Sequence, residues 1–177
     1  MEIERKWLLG EMPNPDFLPV VGMATVYQGY ISRKDPEVRI RCNTNTSGIC
    51  RAERTLTIKK GNGLSREEYE IALTQEQFEK LKPAVVEGDE LTKNPFVIYQ
   101  LENNLLLEVS PVSRNSVLLI MGEVEFPDEA TAQAFVPTEF KQYLSKEVTG
   151  DKRWSMGSLS SNQDWASLLK EVYNAGV

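Results

Sequence analysis

The chain has 177 residues, with 20 Lys and Arg against 26 Asp and Glu for a net charge of −6, and 41% of it is hydrophobic. That is enough chain to bury a sizeable core without staples, and the acidic total argues against nucleic-acid partners and against binding to an anionic membrane. Histidine is absent and Cys42 and Cys50 are the only cysteines, which excludes Ser/His/Asp and Cys/His catalysis, a zinc site and a disulfide framework and leaves carboxylates, Lys, Arg, Tyr or an oxygen-bound metal such as Mg or Mn to carry chemistry.

The first stretch, EIERKWLL, alternates. As a β-strand it sets Glu2, Glu4 and Lys6 on one face and Ile3, Arg5 and Trp7 on the other. Such a charged face is expensive to bury unless it meets water, a metal or a charged ligand; an edge strand kept soluble by its charges is the plain alternative. GEMPNPDFLP, with its prolines, is a loop with room for one helical turn. MATVYQGYIS predicts a strand over 23–32. DPEVRIRC starts from a turn signal and alternates, with Val38 and Ile40 to one side and Arg39 and Arg41 to the other. NTNTSG is turn-rich and is expected to be a connection. It leads to ERTLTIKK, where Leu56 and Ile58 oppose Thr55, Thr57 and Lys59. GNGLS is a hairpin connection that lacks the spacing of a phosphate-cradling loop. SREEYEIAL then puts Arg66, Glu68 and Glu70 on one face and Glu67, Tyr69 and Ile71 on the other.

TQEQFEKLKP has a threonine cap, helical spacing of Phe78 and Leu81, and Pro83 to end it. ELTKNPFVIYQ and LLLEVSP predict a hairpin that turns at Glu102 to Asn104, with Lys93 on one arm and Glu108 on the other. SVLLIMGEVEF is a strand ending with Glu123 and Glu125 interleaved with Val124 and Phe126, a near repeat of the opening pattern. PDEATAQAFVP reads as a short helix after a proline and aspartate start. TEFKQYLSKEV is expected to be a further helix and TGDKRWSMGSLS to turn outward. SSNQDWASLLKEVYNAG is an amphipathic helix with Trp165, Leu168, Leu169 and Val172 on its apolar side. No tandem repeat or linker interrupts 1–177, so a single domain is expected. The charged first residues and the lack of a long apolar run give a cytoplasmic protein, with reduced thiols and no membrane contact, as the expectation.

Taken together, the strands place charge on alternate positions. A solvated sheet face would do the same, but an antiparallel sheet of this many strands tends to close, because closure removes its edges. If the apolar positions pack outward against helices, the charged ones line a wet interior. There they sort into two sets. Lys6, Arg39, Arg41, Lys59, Arg66 and Lys93 suit a polyphosphate, and Glu2, Glu4, Glu108, Glu123 and Glu125 suit hard divalent cations. The alternative is mutual neutralisation in surface salt bridges, each of little worth.

EIERK resembles the ExExK signature of the CYTH superfamily, the triphosphate tunnel metalloenzymes. The resemblance continues in the family's order through QGY (28–30), VRIR (38–41), LTIKKGNGLSREEYEI (56–71), EVEF (123–126) and VTGDKRW (148–154), nearly the whole chain. It implies an α+β fold: an eight-stranded antiparallel β-barrel, open as a tunnel, with helices packed outside. It further implies Mg or Mn held by Glu2, Glu4, Glu123 and Glu125, with Glu108 keeping a carboxylate where the family commonly has aspartate. Triphosphate would meet Lys6, Arg39, Arg41, Lys59, Arg66 and Lys93. Lys152 and Arg153 would contribute from the C-terminal segment, with the facing of the pair left open. Glu2, Glu4, Lys6 and Lys93 are the catalytic candidates. The chain departs from the short bacterial members at Pro95, where an arginine is usual, and at Trp154, where tyrosine is frequent. Inorganic triphosphate is the leading substrate that the resemblance implies. Thiamine triphosphate hydrolysis, ATP cyclisation of the class IV type and non-catalytic binding of polyphosphate or nucleotide are the alternatives, and a homodimer fits the family.

Overall fold

The computed structural model describes residues 2–61, 65–162 and 164–174. The strands are β1 (Glu2–Leu9), β2 (Val20–Ser32), β3 (Glu37–Gly48), β4 (Arg54–Lys60), β5 (Ser65–Ala72), β6 (Glu90–Gln100), β7 (Leu106–Arg114), β8 (Val117–Glu125) and β9 (Leu144–Glu147). The helices are α1 (Gln75–Leu81), α2 (Glu129–Ala134), α3 (Met156–Ser161) and α4 (Trp165–Asn174). Neighbouring strands run antiparallel in the order β5-β4-β3-β2-β6-β7-β8-β1. Pairing of Glu2 with Arg66 and Ile3 with Ser65 joins β1 to β5 and closes the eight strands into a barrel. No helix among the described residues is long and apolar enough to cross a membrane.

Closure divides each strand between an outer and an inner face. Outside, Ile3, Trp7, Val97, Leu107, Val109 and Val124 form a core with Ala132 of α2 and with Phe140 and Tyr143. Burying a side chain such as Trp7, 1% exposed, contributes roughly 2–3 kcal/mol. α1 starts at the expected capping threonine, where Gln77 N donates to Thr74 Oγ1 and Thr74 N to Gln77 Oε1. It buries Phe78 beside Tyr27. α2 starts at Asp128, whose carboxylate accepts from Thr131 N at 2.7 Å.

Three expectations are corrected. NTNTSG is not a connection: β3 continues through it to Gly48, paired with β2, and Asn45 takes φ 49° within that stretch. TEFKQYLSKEV is not a helix. It makes a 3-10 turn at Lys141–Tyr143 and then β9, because β1 has an unpaired edge beyond β5, and Trp7 and Leu9 take Glu147 and Leu144 as partners there. Backbone pairing outweighs the local helical preference. TGDKRWSMGSLS does not turn outward. Trp154, Met156 and Leu159 pack with Trp165 and Leu168 of α4 against the inward Leu8, Tyr30, Leu91, Val112, Leu119 and Met121, so α3 and α4 plug one end of the barrel. The turn at Glu102–Asn104 and the apolar side of α4 stand as expected. Asn62–Leu64 of the GNGLS hairpin and residues 1, 163 and 175–177 lie outside the described residues.

Candidate active site

The inner face of the barrel is charged in its middle. Glu2, Glu4 and Lys6 of β1 enter a cavity of ≈ 80 Å³, together with Arg39 and Arg41 of β3, Lys59 of β4 and Arg66 of β5. Lys93 of β6, Glu108 of β7 and Glu123 and Glu125 of β8 complete the wall. The register explains the convergence: Glu4 opposes Glu125, Lys6 opposes Glu123, and Glu123 opposes Glu108. Lys59 opposes Glu68. Residues two apart share a face, so a pattern repeated on each strand becomes a ring.

Lys93 and Phe96 are three positions apart, yet both face this interior. The β2–β6 register shifts between Lys93 and Phe96, and the resulting bulge at Asn94 and Pro95 turns Pro95 out of the position that alternation would give it. Phe96 stands beside the cations instead, its ring centroid 5.3 Å from the Arg41 guanidinium carbon and 5.4 Å from Lys93 Nζ.

The acids and bases hold one another. Lys6 Nζ is 2.7 Å from Glu123 Oε1 and 3.0 Å from Glu4 Oε1. Lys59 Nζ is 2.6 Å from Glu2 Oε1 and 2.9 Å from Glu68 Oε2. Arg66 Nη2 bridges Glu2 Oε2, at 3.2 Å, and Glu4 Oε1. Lys93 Nζ lies 4.0 Å from Glu123 Oε2. Arg41 Nε donates to Asn43 Oδ1 at 3.0 Å, and Asn43 Nδ2 donates in turn to Glu53.

These pairings set the charge states. Burial works against the Lys6 ammonium, but Glu123 and Glu4 carry its pKa above the ordinary value. Burial likewise opposes ionised Glu123, yet Lys6 and Lys93 hold it well below the usual carboxylate range. Lys93 goes the other way: burial, with Arg41 and Arg39 nearby, outweighs Glu123 and lowers it to about 8. Glu125 is pushed up by burial and then by Glu2, Glu4 and Glu68, and Glu108 by burial first, with Glu123 and Glu125 adding to it.

Among the described residues no three carboxylates converge as a finished metal cage; Glu2, Glu4 and Glu123 turn to cations instead. The donor set still fits a hard divalent cation. Its oxygens are those Mg and Mn prefer, and the upward shift of Glu125 beside three other glutamates marks negative charge that the bases leave uncompensated.

Alternation placed these residues correctly but missed others on the same wall. Tyr30 and Glu37 line the cavity. Both were legible in principle, because Glu37 shares its face with Arg39, and Tyr30 pairs with Arg39 across β2 and β3. Gln28, fully buried, donates from Nε2 to the Tyr30 hydroxyl oxygen. Ser155, Met156 and Gly157 form the floor at the plugged end, which no strand pattern signals. Of the C-terminal pair, neither lines the central cavity, so the expected contact of Lys152 with triphosphate there is corrected; Lys152 borders a smaller cavity next to Lys6 and Arg66. Arg153 is not brought to the interior: it is exposed, and its guanidinium pairs with Asp151 at 2.7 Å and Glu171 at 2.5 Å.

No protein-family model matches the chain. An inorganic triphosphatase of Nitrosomonas europaea is 33% identical over 159 residues, spanning 90% of this chain and 96% of that protein. The crystal structure of an inorganic triphosphatase designated NE1496 is similar with a TM-score of 0.60 at 32% identity, covering 92% of this chain and 95% of that one. The PH1819 protein of Pyrococcus horikoshii shares the fold, with a TM-score of 0.59 at 16% identity over 97% of this chain and 99% of that one.

Proposed function

The chain belongs to the CYTH superfamily of triphosphate tunnel enzymes, in the family of the inorganic triphosphatases, and from that premise we propose that it is a divalent-metal-dependent triphosphatase. It cleaves inorganic triphosphate to pyrophosphate and phosphate. The observation that carries this reading is the inner wall itself, where basic and acidic side chains meet inside one closed ring of strands.

Lys6, Arg39, Arg41, Lys59, Arg66 and Lys93 form the anion cradle, the arginines gripping phosphoryl oxygens in pairs and the lysines acting as point charges. Glu2, Glu4, Glu123 and Glu125, with Glu108, would hold Mg or Mn. When bound, the metal offsets phosphoryl charge and lowers the pKa of a bound water. The ion pairs suggest how the site loads. Lys6, Lys59 and Arg66 would offer their N–H groups to phosphate oxygens in place of their carboxylate partners, which would leave Glu2, Glu4 and Glu123 to hold Mg or Mn. Triphosphate and metal would thereby each favour binding of the other. The cradle then fixes the terminal phosphorus for in-line attack by water, which forms the new P–O bond as the bond to pyrophosphate breaks. A cytoplasmic setting, in keeping with two free cysteines, is part of this reading.

The test is phosphate release from tripolyphosphate, ATP and thiamine triphosphate, each with Mg, with Mn and with a chelator, beside a chromatographic assay for cyclic AMP. Metal-dependent release that is fastest from tripolyphosphate is the expected result. Preference for another substrate moves the assignment within the family. No turnover of any, with tripolyphosphate still raising the melting temperature, makes the barrel a binding protein.

A further inference from the structure

The second edge of β1 changes neighbours along its length. It pairs with β5 at Glu2 and Ile3 and with β9 from Trp7 onward. Opposite Glu4 to Lys6 the segment 148–155 crosses the gap instead: Val148 N donates to Lys6 O at 2.9 Å, and Lys6 N donates to Thr149 Oγ1 at 3.0 Å. Against that segment lies a second cavity, bordered by Glu4, Lys6, Arg66, Gly150, Lys152 and Ser155. Glu4, Lys6, Arg66 and Ser155 also line the central chamber, so the two cavities abut across the barrel wall with those four residues between them. A Cβ on Gly150, φ +76°, would meet nothing within 4 Å, which leaves the space beside it open.

The charge of this passage is opposite to that of the main mouth. Around the mouth Glu68, Glu70, Glu108 and Glu125 face Arg39 and Arg41. In the passage Lys6, Arg66 and Lys152 face Glu4 and Asp151; Lys6 and Arg66 are paired with glutamates of the chamber and Asp151 with Arg153 at 2.7 Å, so Lys152 sets the sign of charge at the outer end. A triphosphate whose charge is offset by metal tolerates an acidic entrance. Free orthophosphate, a small anion that has lost its metal, is repelled there and attracted by the lysines.

We propose that the side passage is an orthophosphate port, the path by which the smaller product leaves the chamber, with Lys152 as its outer binding group. This rests on the triphosphatase reading. Lys152 is exposed, so Lys152→Glu leaves the fold intact while reversing charge at the port. Quenched-flow measurement of total phosphate, beside a fluorescent sensor of free phosphate, separates cleavage from release. In Lys152→Glu, cleavage in a single turnover of tripolyphosphate is expected within about twofold of wild type, while release of phosphate slows at least about fivefold, and Lys152→Arg restores it. Slowing of both steps together makes Lys152 a substrate contact and overturns the port; so does no change in either. If the wild-type protein cleaves no tripolyphosphate, the triphosphatase reading fails at that measurement. The port is then judged by equilibrium binding of inorganic phosphate, expected to weaken at least about fivefold in Lys152→Glu, and equal binding by the two proteins overturns it.

Discussion

Arg5 and Lys6 are adjacent cations on β1 that point to opposite sides of the barrel wall, and their partners differ in kind. Outside, Arg5 Nη1 donates to the carbonyls of Ala132 at 2.9 Å and Phe135 at 2.7 Å, its Nε and Nη2 pair with Glu147, and its guanidinium lies 5.1 Å from the Trp7 ring. Those carbonyls belong to the end of α2, so Arg5 clamps that end to β1. Inside, the Lys6 ammonium meets the carboxylates of Glu4 and Glu123, which on the proposed function would pass to a metal as an anion takes the ammonium. Arg5 is tied to backbone as well as to a carboxylate, whereas Lys6 is tied to carboxylates, which a ligand can replace.

The inner face gives the largest expected effect. Glu4→Gln removes a carboxylate shared by Lys6 and Arg66; kcat with Mg or Mn should drop at least about 100-fold, on the order of 2.7 kcal/mol, with an unchanged circular dichroism spectrum. Retained turnover would break the comparison at its first residue. The outer face should behave inversely. Arg5→Ala is expected to lower unfolding free energy by about 2 kcal/mol in urea denaturation, as loss of charged hydrogen bonds to carbonyls does, with kcat per folded molecule unchanged.

Lys93 sharpens the inner face through pH. Burial, with Arg41 and Arg39 nearby, lowers its pKa from the ordinary 10.5 to about 8, so the ammonium is present below about 8 and lost above it. The free-enzyme profile, kcat/KM for tripolyphosphate, should therefore fall above about pH 8 by up to about tenfold per unit, and Lys93→Arg should abolish that limb. Unfolding does not account for the fall: between about 8 and 10.5 the unfolded chain binds the extra proton, so this group adds stability as pH rises. The smallest effect concerns the floor. A Cβ at Gly157 would sit 2.7 Å from Glu37 Oε2 and 3.2 Å from Tyr30 Cε1, so Gly157→Ala should shift both side chains and lower kcat/KM by about threefold, under about 1 kcal/mol.

Much of the wall was legible because a period of two survives closure: Glu2 and Lys6 of β1, Arg39 of β3, Lys59 of β4 and Glu123 of β8 reach the cavity by parity alone. Where parity breaks, legibility ends. Nothing local tells that a bulge at Asn94 and Pro95 gives Lys93 and Phe96 one facing. Likewise, the edge of β1 that turns 144–147 into a strand is left open because β5 pairs only with Glu2 and Ile3, a register that no local pattern gives. The plug was hidden for the same reason: Trp154 and Leu159 bury against residues contributed by β1, β2, β6, β7 and β8, and no window of sequence contains that surface.

The most direct test of the claim that the inner face of β1 serves metal and triphosphate is anomalous diffraction from crystals grown with Mn and a non-hydrolysable triphosphate analogue. The account predicts a manganese peak among Glu2, Glu4, Glu123 and Glu125, with the analogue's oxygens on Lys6, Lys59 and Arg66 in place of the carboxylates now paired with them. An ordered analogue in the barrel with those ion pairs intact and no manganese at the glutamates would contradict it.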